Sequence, residues 1–236
     1  MDRSRFYAAL RRRESGVFGT SISQKQVDGC EVLLDEGQRL GTPLRHLAYV
    51  LATAYHETAH TMQPIAEYGK GKGKKYGVPG KYGQAQYGRG YVQLTWDANY
   101  ERADRELKLG GSLLKNFDLA LNASIAAQIL FRGMAEGWFT GKKLDDYILG
   151  TKVDYEGARR IVNGTDRAAL IAGYAVAFEA ALREASYIGQ APKTLPPATP
   201  KPSPAPSPAP KPVSPPAATD GRWAWLSALI ARLFKR

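Results

Sequence analysis

Apolar residues recur along the first 187 positions at helical rather than strand spacing. From Phe6 to about Arg13, and from about Gln24 to Glu36, they fall one turn apart, the second run carrying Val27, Cys30 and Leu34 behind candidate caps Ser21 and Ser23. Leu44, Leu47, Ala48, Leu51 and Tyr55 make an i, i+3, i+4, i+7, i+11 stripe after Thr42-Pro43, with proline at the first turn of a predicted helix. Pro64 disfavours helical geometry at Gln63, so this helix should end by about Met62. Glu57 then sits near the end of a buried helix, and the following turn carries Glu67. Helical patterns return at Asn99 to Leu107, Ile125 to Glu136, Leu144 to Leu149 and Tyr155 to Val162. A last long helix is predicted from Arg167 to Ser186, with Leu170, Tyr174, Ala177, Phe178 and Ala181 on one face. Period-two alternation is weak except around Tyr91 to Thr95. The expected fold is mainly α with at most a small β element.

Two stretches break this pattern. Residues 69–90 contain eight glycines, six Lys or Arg and three tyrosines. Such a composition predicts an exposed basic loop, either plain solvated surface or a grip on a ligand. Between Ala191 and Pro216 lie twelve of the fifteen prolines, the mark of an extended polyproline-type spacer. After it, Trp223, Leu226, Leu229, Ile230, Leu233 and Phe234 share one helical face, with Arg232, Lys235 and Arg236 off it. The expected organisation is a catalytic domain at 1–189, a linker at 190–219 and a cationic amphipathic helix at 220–236. Residues 223–236 would span roughly 20 Å, short of the ~30 Å hydrocarbon core, so the helix is expected to lie on an anionic membrane or envelope surface.

Charge sharpens the choice of partner. The chain carries a net +11, and a polyanion is implied: nucleic acid, an anionic membrane or a bacterial wall. Nucleic acid has no motif here beyond basicity and is not expected. The single Cys30 excludes an internal disulfide framework and reads as a buried structural thiol. The N-terminal residues lack the apolar run of a secretion signal, so a substrate outside the cytoplasm would require another means of release.

Tyr55-His56-Glu57-Thr58-Ala59-His60 admits two chemistries. His56-Glu57-x-x-His60 matches the H-E-x-x-H pattern, in which two histidines one turn apart bind zinc and the glutamate acts on bound water. A third ligand is missing: His46, the only other histidine, falls about 80° around the helix axis from His56 and ~15 Å away, while Gln63 and Ala66 occupy the Gly and His positions of the extended motif. No metal or other cofactor is expected, and the histidines are assigned supporting roles. The second chemistry pairs Glu57 with Glu67 as the two carboxylates of a glycoside hydrolase.

Tyr55-His56-Glu57-Thr58, Tyr87-Gly88-Arg89-Gly90-Tyr91-Val92-Gln93-Leu94-Thr95-Trp96 with Asn99-Tyr100, and Arg160-Ile161-Val162-Asn163-Gly164 resemble the glycoside hydrolase family 19 chitinases and especially the related phage endolysins. The resemblance covers residues 6 to 187. It implies a lysozyme-like, two-lobed helical domain in which Glu57 is the general acid and Glu67 the general base. Gln93, Thr95, Asn99 and Asn163 match polar residues that bind sugar or hold the water, and Arg167 corresponds to arginines that brace the site. Inversion needs a protonated acid at the leaving oxygen and a base across the sugar, with carboxyls about 6.5–9.5 Å apart. Partial desolvation should favour the acid form of Glu57, and Lys70 and Lys72 should keep Glu67 ionised. Tyr91 and Trp96 are candidate flat platforms for sugar, although Trp96 reads better as core.

The implied activity is hydrolysis of β-1,4 bonds in peptidoglycan glycan strands by a monomeric endolysin. It would be made in the host cytoplasm and released to the cell wall through membrane holes at lysis. Chitin is the rival substrate, and a wall- or membrane-binding module without catalysis is the rival class.

Overall fold

The computed structural model describes residues 1–189; the predicted linker and amphipathic helix lie outside the described residues. The fold is mainly α with two small antiparallel sheets. Asp2 accepts from the Arg5 N–H to start α1 (Arg3–Leu10), and Ser23 with Gln26 forms a reciprocal capping box at α2 (Gln24–Arg39). Pro43 stands at the N-cap of α3 (Leu44–Glu57) rather than within its first turn. From Leu47 onward every α3 residue is buried, which makes it the central helix of the domain.

That helix ends at Glu57, earlier than Met62. Thr58 Oγ1 donates to the Ala54 carbonyl at 2.7 Å, and Ala59 and His60 then take left-handed backbone angles that no helix can continue. Thr58 therefore does what Pro64 is expected to do. The chain turns into β1 (Ile65–Ala66), which pairs with β2 (Arg89–Gly90) in the register Ile65↔Gly90 and Ala66↔Arg89.

Beyond the loop come α4 (Asp97–Glu106), the single turn α5 (Ser112–Lys115) and a 3₁₀ turn at Phe117–Leu121. Next is α6 (Ala123–Glu136), whose cap Asn122 accepts from the Ser124 and Ile125 N–H groups. The predicted helix over Leu144 to Leu149 holds only as α7 (Leu144–Tyr147); Ile148 and Leu149 form β3 of a hairpin with β4 (Lys152–Val153). Tyr155 to Val162 contains a 3₁₀ stretch, Gly157–Ile161.

The last helix, α8 (Ala168–Glu184), lies along α3 and α1. Its buried face is Ile171, Ala175, Phe178, Ala181 and Leu182, rotated from the expected one, and Leu170 is exposed. The helix is apolar on most sides, so packing against α3, not periodicity, selects the face. One continuous core joins these helices, and a smaller cluster of Tyr76 and Tyr87 sits apart from it.

Candidate active site

The two motif segments meet through the first sheet. The Glu67 N–H donates to the Gly88 carbonyl at 2.7 Å and extends the β1–β2 ladder by one rung, so Glu67 is aligned on the Gly88-Arg89-Gly90 run. Period-two alternation suggested a strand from Tyr91 to Thr95, but these residues form a turn. Gly90 (φ +85°) and Gln93 (φ +55°) reverse the chain, and reciprocal bonds between Arg89 and Leu94 close it. A Cβ at position 90 would lie 2.9 Å from the Ala120 carbonyl oxygen, so both the angle and the space there call for glycine.

The predicted polar residues hold this turn in series. Asn99 Nδ2 donates to the Thr95 carbonyl (2.8 Å), Thr95 Oγ1 to the Gln93 carbonyl (2.8 Å), and Gln93 Nε2 to the carbonyls of Ile65 (3.1 Å) and Gly90 (3.2 Å). Gln93 thus ties the turn to β1, two residues before Glu67. Its Oε1 is buried and has no hydrogen-bond partner among the described residues. Tyr91 is fully buried and cannot serve as a sugar platform; it belongs to the core. Trp96 is half-buried and meets Tyr76 edge-on at 5.6 Å.

Glu67 is 3 % exposed, not a carboxylate on an open basic loop. Tyr76 OH donates to its Oε1 at 3.1 Å and the Gly88 N–H to its Oε2 at 3.2 Å. Desolvation pushes its pKa above the usual glutamate value, and the two hydrogen bonds with the Lys74 charge offset only part of that rise. The environment differs from the open basic loop expected from Lys70 and Lys72: Glu67 is buried beside Tyr76, and the lysine whose charge acts on it is Lys74. Arg89 secures the Tyr76–Tyr87 cluster: its guanidinium lies 3.6 Å from the Tyr87 ring centroid and pairs with Asp118 at 2.7 Å.

Glu57 has a different setting. It is 1 % exposed, and Arg159 Nη1 donates to its Oε1 at 2.6 Å. Arg159 is equally buried, and its Nε donates to the Asp166 carbonyl at 3.0 Å. Its Nη2 is buried with no hydrogen-bond partner among the described residues. The expected division of environments is therefore corrected: the desolvated carboxyl without a buried cation is Glu67, and the one held by a guanidinium is Glu57.

Arg159 is the site residue that sequence reasoning passed over, although it adjoins the matched Arg160-Ile161-Val162-Asn163-Gly164 run. The available signal is the pair Arg159-Arg160 beside Ala158, Ile161 and Val162, where a tight 3₁₀ turn directs one arginine inward and leaves the other exposed. Asn163 is buried, its backbone N–H bonded to the Arg159 carbonyl (3.0 Å) and its Oδ1 accepting from Gly164 (2.9 Å). Arg167 is exposed at the N-cap of α8, where its charge acts on His56 and Tyr174.

His56 is 2 % exposed, and burial with the Arg159 charge pushes its pKa down to about 3, so it is neutral at pH 7. His60, by contrast, is exposed and stacks on Tyr55 at 4.2 Å. Among the described residues no group of three or more His, Cys, Asp or Glu is placed to hold a metal ion. His46 is engaged elsewhere, its Nε2 lying 2.6 Å from the Ile148 carbonyl oxygen.

Comparison with family models, curated proteins and solved structures finds no match to the chain. The reading of the site therefore rests on its own geometry and on the sequence motifs. Two buried acids stand on either side of the connection from α3 through β1, each held by a named donor. Glu57 is held by Arg159 of the 3₁₀ stretch, and Glu67 by the sheet and Tyr76.

Proposed function

We propose that the chain is a glycoside hydrolase of the endolysin type, cutting β-1,4 bonds of peptidoglycan glycan strands by inversion. The observation that carries this reading is the pair Glu57 and Glu67, both under 5 % exposed and set in unlike surroundings. Acids are seldom buried this deeply without a purpose-built partner. Acetal hydrolysis is a reaction that calls for two carboxyls with different proton affinities.

In this reading Glu67 is the general base. Desolvation raises its pKa above the usual glutamate value, which makes its carboxylate a stronger base than an exposed one. Glu57 is assigned the acid role on the motif it occupies; Arg159 holds its carboxyl in one orientation, and delivery of a proton to the leaving oxygen requires that this ion pair be loosened when a sugar is bound. Gln93 Oε1 and Arg159 Nη2, buried polar atoms with no hydrogen-bond partner among the described residues, are suited to meet a sugar's hydroxyl or amide groups. Asn163 and Arg167 frame the Glu57 side, while Asn99 and Thr95 keep Gln93 in place. The predicted tail, residues 220–236, would add affinity for an anionic membrane or envelope surface through its net positive charge.

Purified peptidoglycan and chitin oligomers, run side by side, test the assignment of substrate: peptidoglycan should be hydrolysed faster, and chitin turnover alone would make the protein a chitinase. Glycosides with good leaving groups separate the two roles. Glu57→Gln should retain more of its activity on them than Glu67→Gln, because an activated leaving group needs less help from an acid; the opposite ranking would exchange the two assignments.

A further inference from the structure

The basic loop beside Glu67 concentrates the charge of the whole domain. Seven basic residues and one acid follow residue 189, which leaves +5 of the net +11 for residues 1–189. From Tyr68 to Trp96 there are five lysines, one arginine and no acid, a local +6. Away from this stretch the described domain is close to neutral.

Four of these lysines are set out at close intervals. Gly69, Gly71 and Gly73 take left-handed angles of +81°, +69° and +75°, and backbone bonds Lys70 N→Glu67 O, Lys72 N→Gly69 O and Lys74 N→Gly71 O close successive turns at 2.8–3.0 Å. Lys70, Lys72, Lys74 and Lys75 are all exposed. The loop then folds back on itself: a Cβ on Gly77 would lie 1.9 Å from the Gly71 carbonyl oxygen, so the two backbones touch and hold the array in shape. Arg89 is paired with Asp118 and Lys81 with Glu101, whereas no carboxylate among the described residues pairs with Lys70, Lys72, Lys74 or Lys75. The array starts three residues after Glu67, and the Lys74 charge reaches that carboxyl.

We infer that the Lys70–Lys75 array binds the carboxylates of the peptide stems that branch from peptidoglycan, and so sets a preference for peptidoglycan over neutral chitin. The inference rests on the glycosidase reading above, because the array borders the carboxyl assigned there as the base. A glycan strand that reached Glu67 would come close to these lysines, the nearest of which, Lys74, already acts on its carboxyl. In peptidoglycan every second sugar carries an acidic peptide, whereas chitin offers no anion at all. Exposed ammonium groups contribute little singly, but four acting on one polyanion give a salt-dependent preference of about tenfold.

The test compares the full chain with a variant in which all four lysines are replaced by Gln, matched by thermal unfolding, on two substrates: intact peptidoglycan and the same glycan stripped of its stems by an amidase. The wild type should prefer intact peptidoglycan about tenfold at low salt, and the variant or high salt should collapse that ratio toward one. A ratio unchanged in the variant would overturn the lysine assignment while leaving the glycosidase reading standing. If neither protein cuts either substrate, the glycosidase reading falls, and sedimentation with the two glycans still decides the array's role. Salt-sensitive binding to intact but not stripped glycan, lost in the variant, would support it. Equal loss of binding to anionic vesicles or DNA, with glycan binding intact, would refute it and make the loop a membrane or nucleic-acid surface.

Discussion

Replacing Arg159 with Met would leave Glu57 buried without its cation. The two side chains are 1 % and 2 % exposed and meet at 2.6 Å, so water contributes almost no screening. With charge centres about 4 Å apart, the attraction is ~4 kcal/mol at an effective dielectric constant of 20. Breaking one partner of a buried pair costs about 3–5 kcal/mol. Arg159→Met also removes the bond to the Asp166 carbonyl, which pins the segment leading into α8. Urea unfolding at pH 7 should therefore show a loss of about 3–5 kcal/mol, a midpoint shift of about 2 M for a slope near 2 kcal/mol/M. The double variant Glu57→Gln/Arg159→Met should recover at least half of it, since the stranded charge is gone, giving a coupling of about 2 kcal/mol. A single-variant loss below about 1 kcal/mol, or additive effects, would refute the buried pair and with it the positioning role of Arg159.

Glu67→Gln should stabilise the fold at neutral pH. A raised pKa means the folded state holds this proton more tightly than the unfolded chain, so its contribution is fully present below the usual glutamate value and is lost as pH rises through the folded value. The gain in Tm should thus be seen at pH 7 and vanish below about pH 4; a gain independent of pH would contradict the desolvated environment. His56 acts in the opposite sense. With a folded pKa near 3 it resists protonation, so wild-type stability should fall as pH drops from the unfolded value of 6.5 toward 3, and His56→Gln should lessen that fall in a pH series of melts. Gly29→Ala would set a Cβ 1.7 Å from the Met62 carbonyl oxygen, on the turn joining Glu57 to Glu67. It should cost about 3 kcal/mol or more and depress activity as well, whereas a variant with wild-type Tm would mean that α2 does not fix that turn.

Much of the helical frame was legible from periodicity, because α2, α4 and α6 bury residues spaced about one turn apart, α2 and α6 start at side-chain caps, and α3 follows Thr42-Pro43. Legibility failed where apolar residues surround a helix, as in α8, and where short pieces take their shape from tertiary contacts, as in β3 and the turn at Tyr91–Gln93. The positions of Glu57 and Glu67 on either side of a bend followed from the α3 stripe and Pro64. Their environments did not. Arg159 arrives from 102 residues away, and the burial of Glu67 depends on Tyr76 and Tyr87 packing inside a stretch whose glycines and lysines suggest nothing but solvent. Charge counting identified the basic loop, but its ordered Gly–Lys turns needed backbone angles to be seen.

The central claim is that Glu57 and Glu67 cut a glycan, and it is tested most directly by mass spectrometry of the fragments released from purified peptidoglycan by the wild type and by Glu57→Gln. The account predicts disaccharide-peptide fragments from the wild type, formed with inversion at the new reducing end, and a rate at least about 100-fold lower from the variant, the range lost with a general acid. Undiminished release by Glu57→Gln, or fragments arising from cleavage in the peptide rather than the glycan, would contradict it.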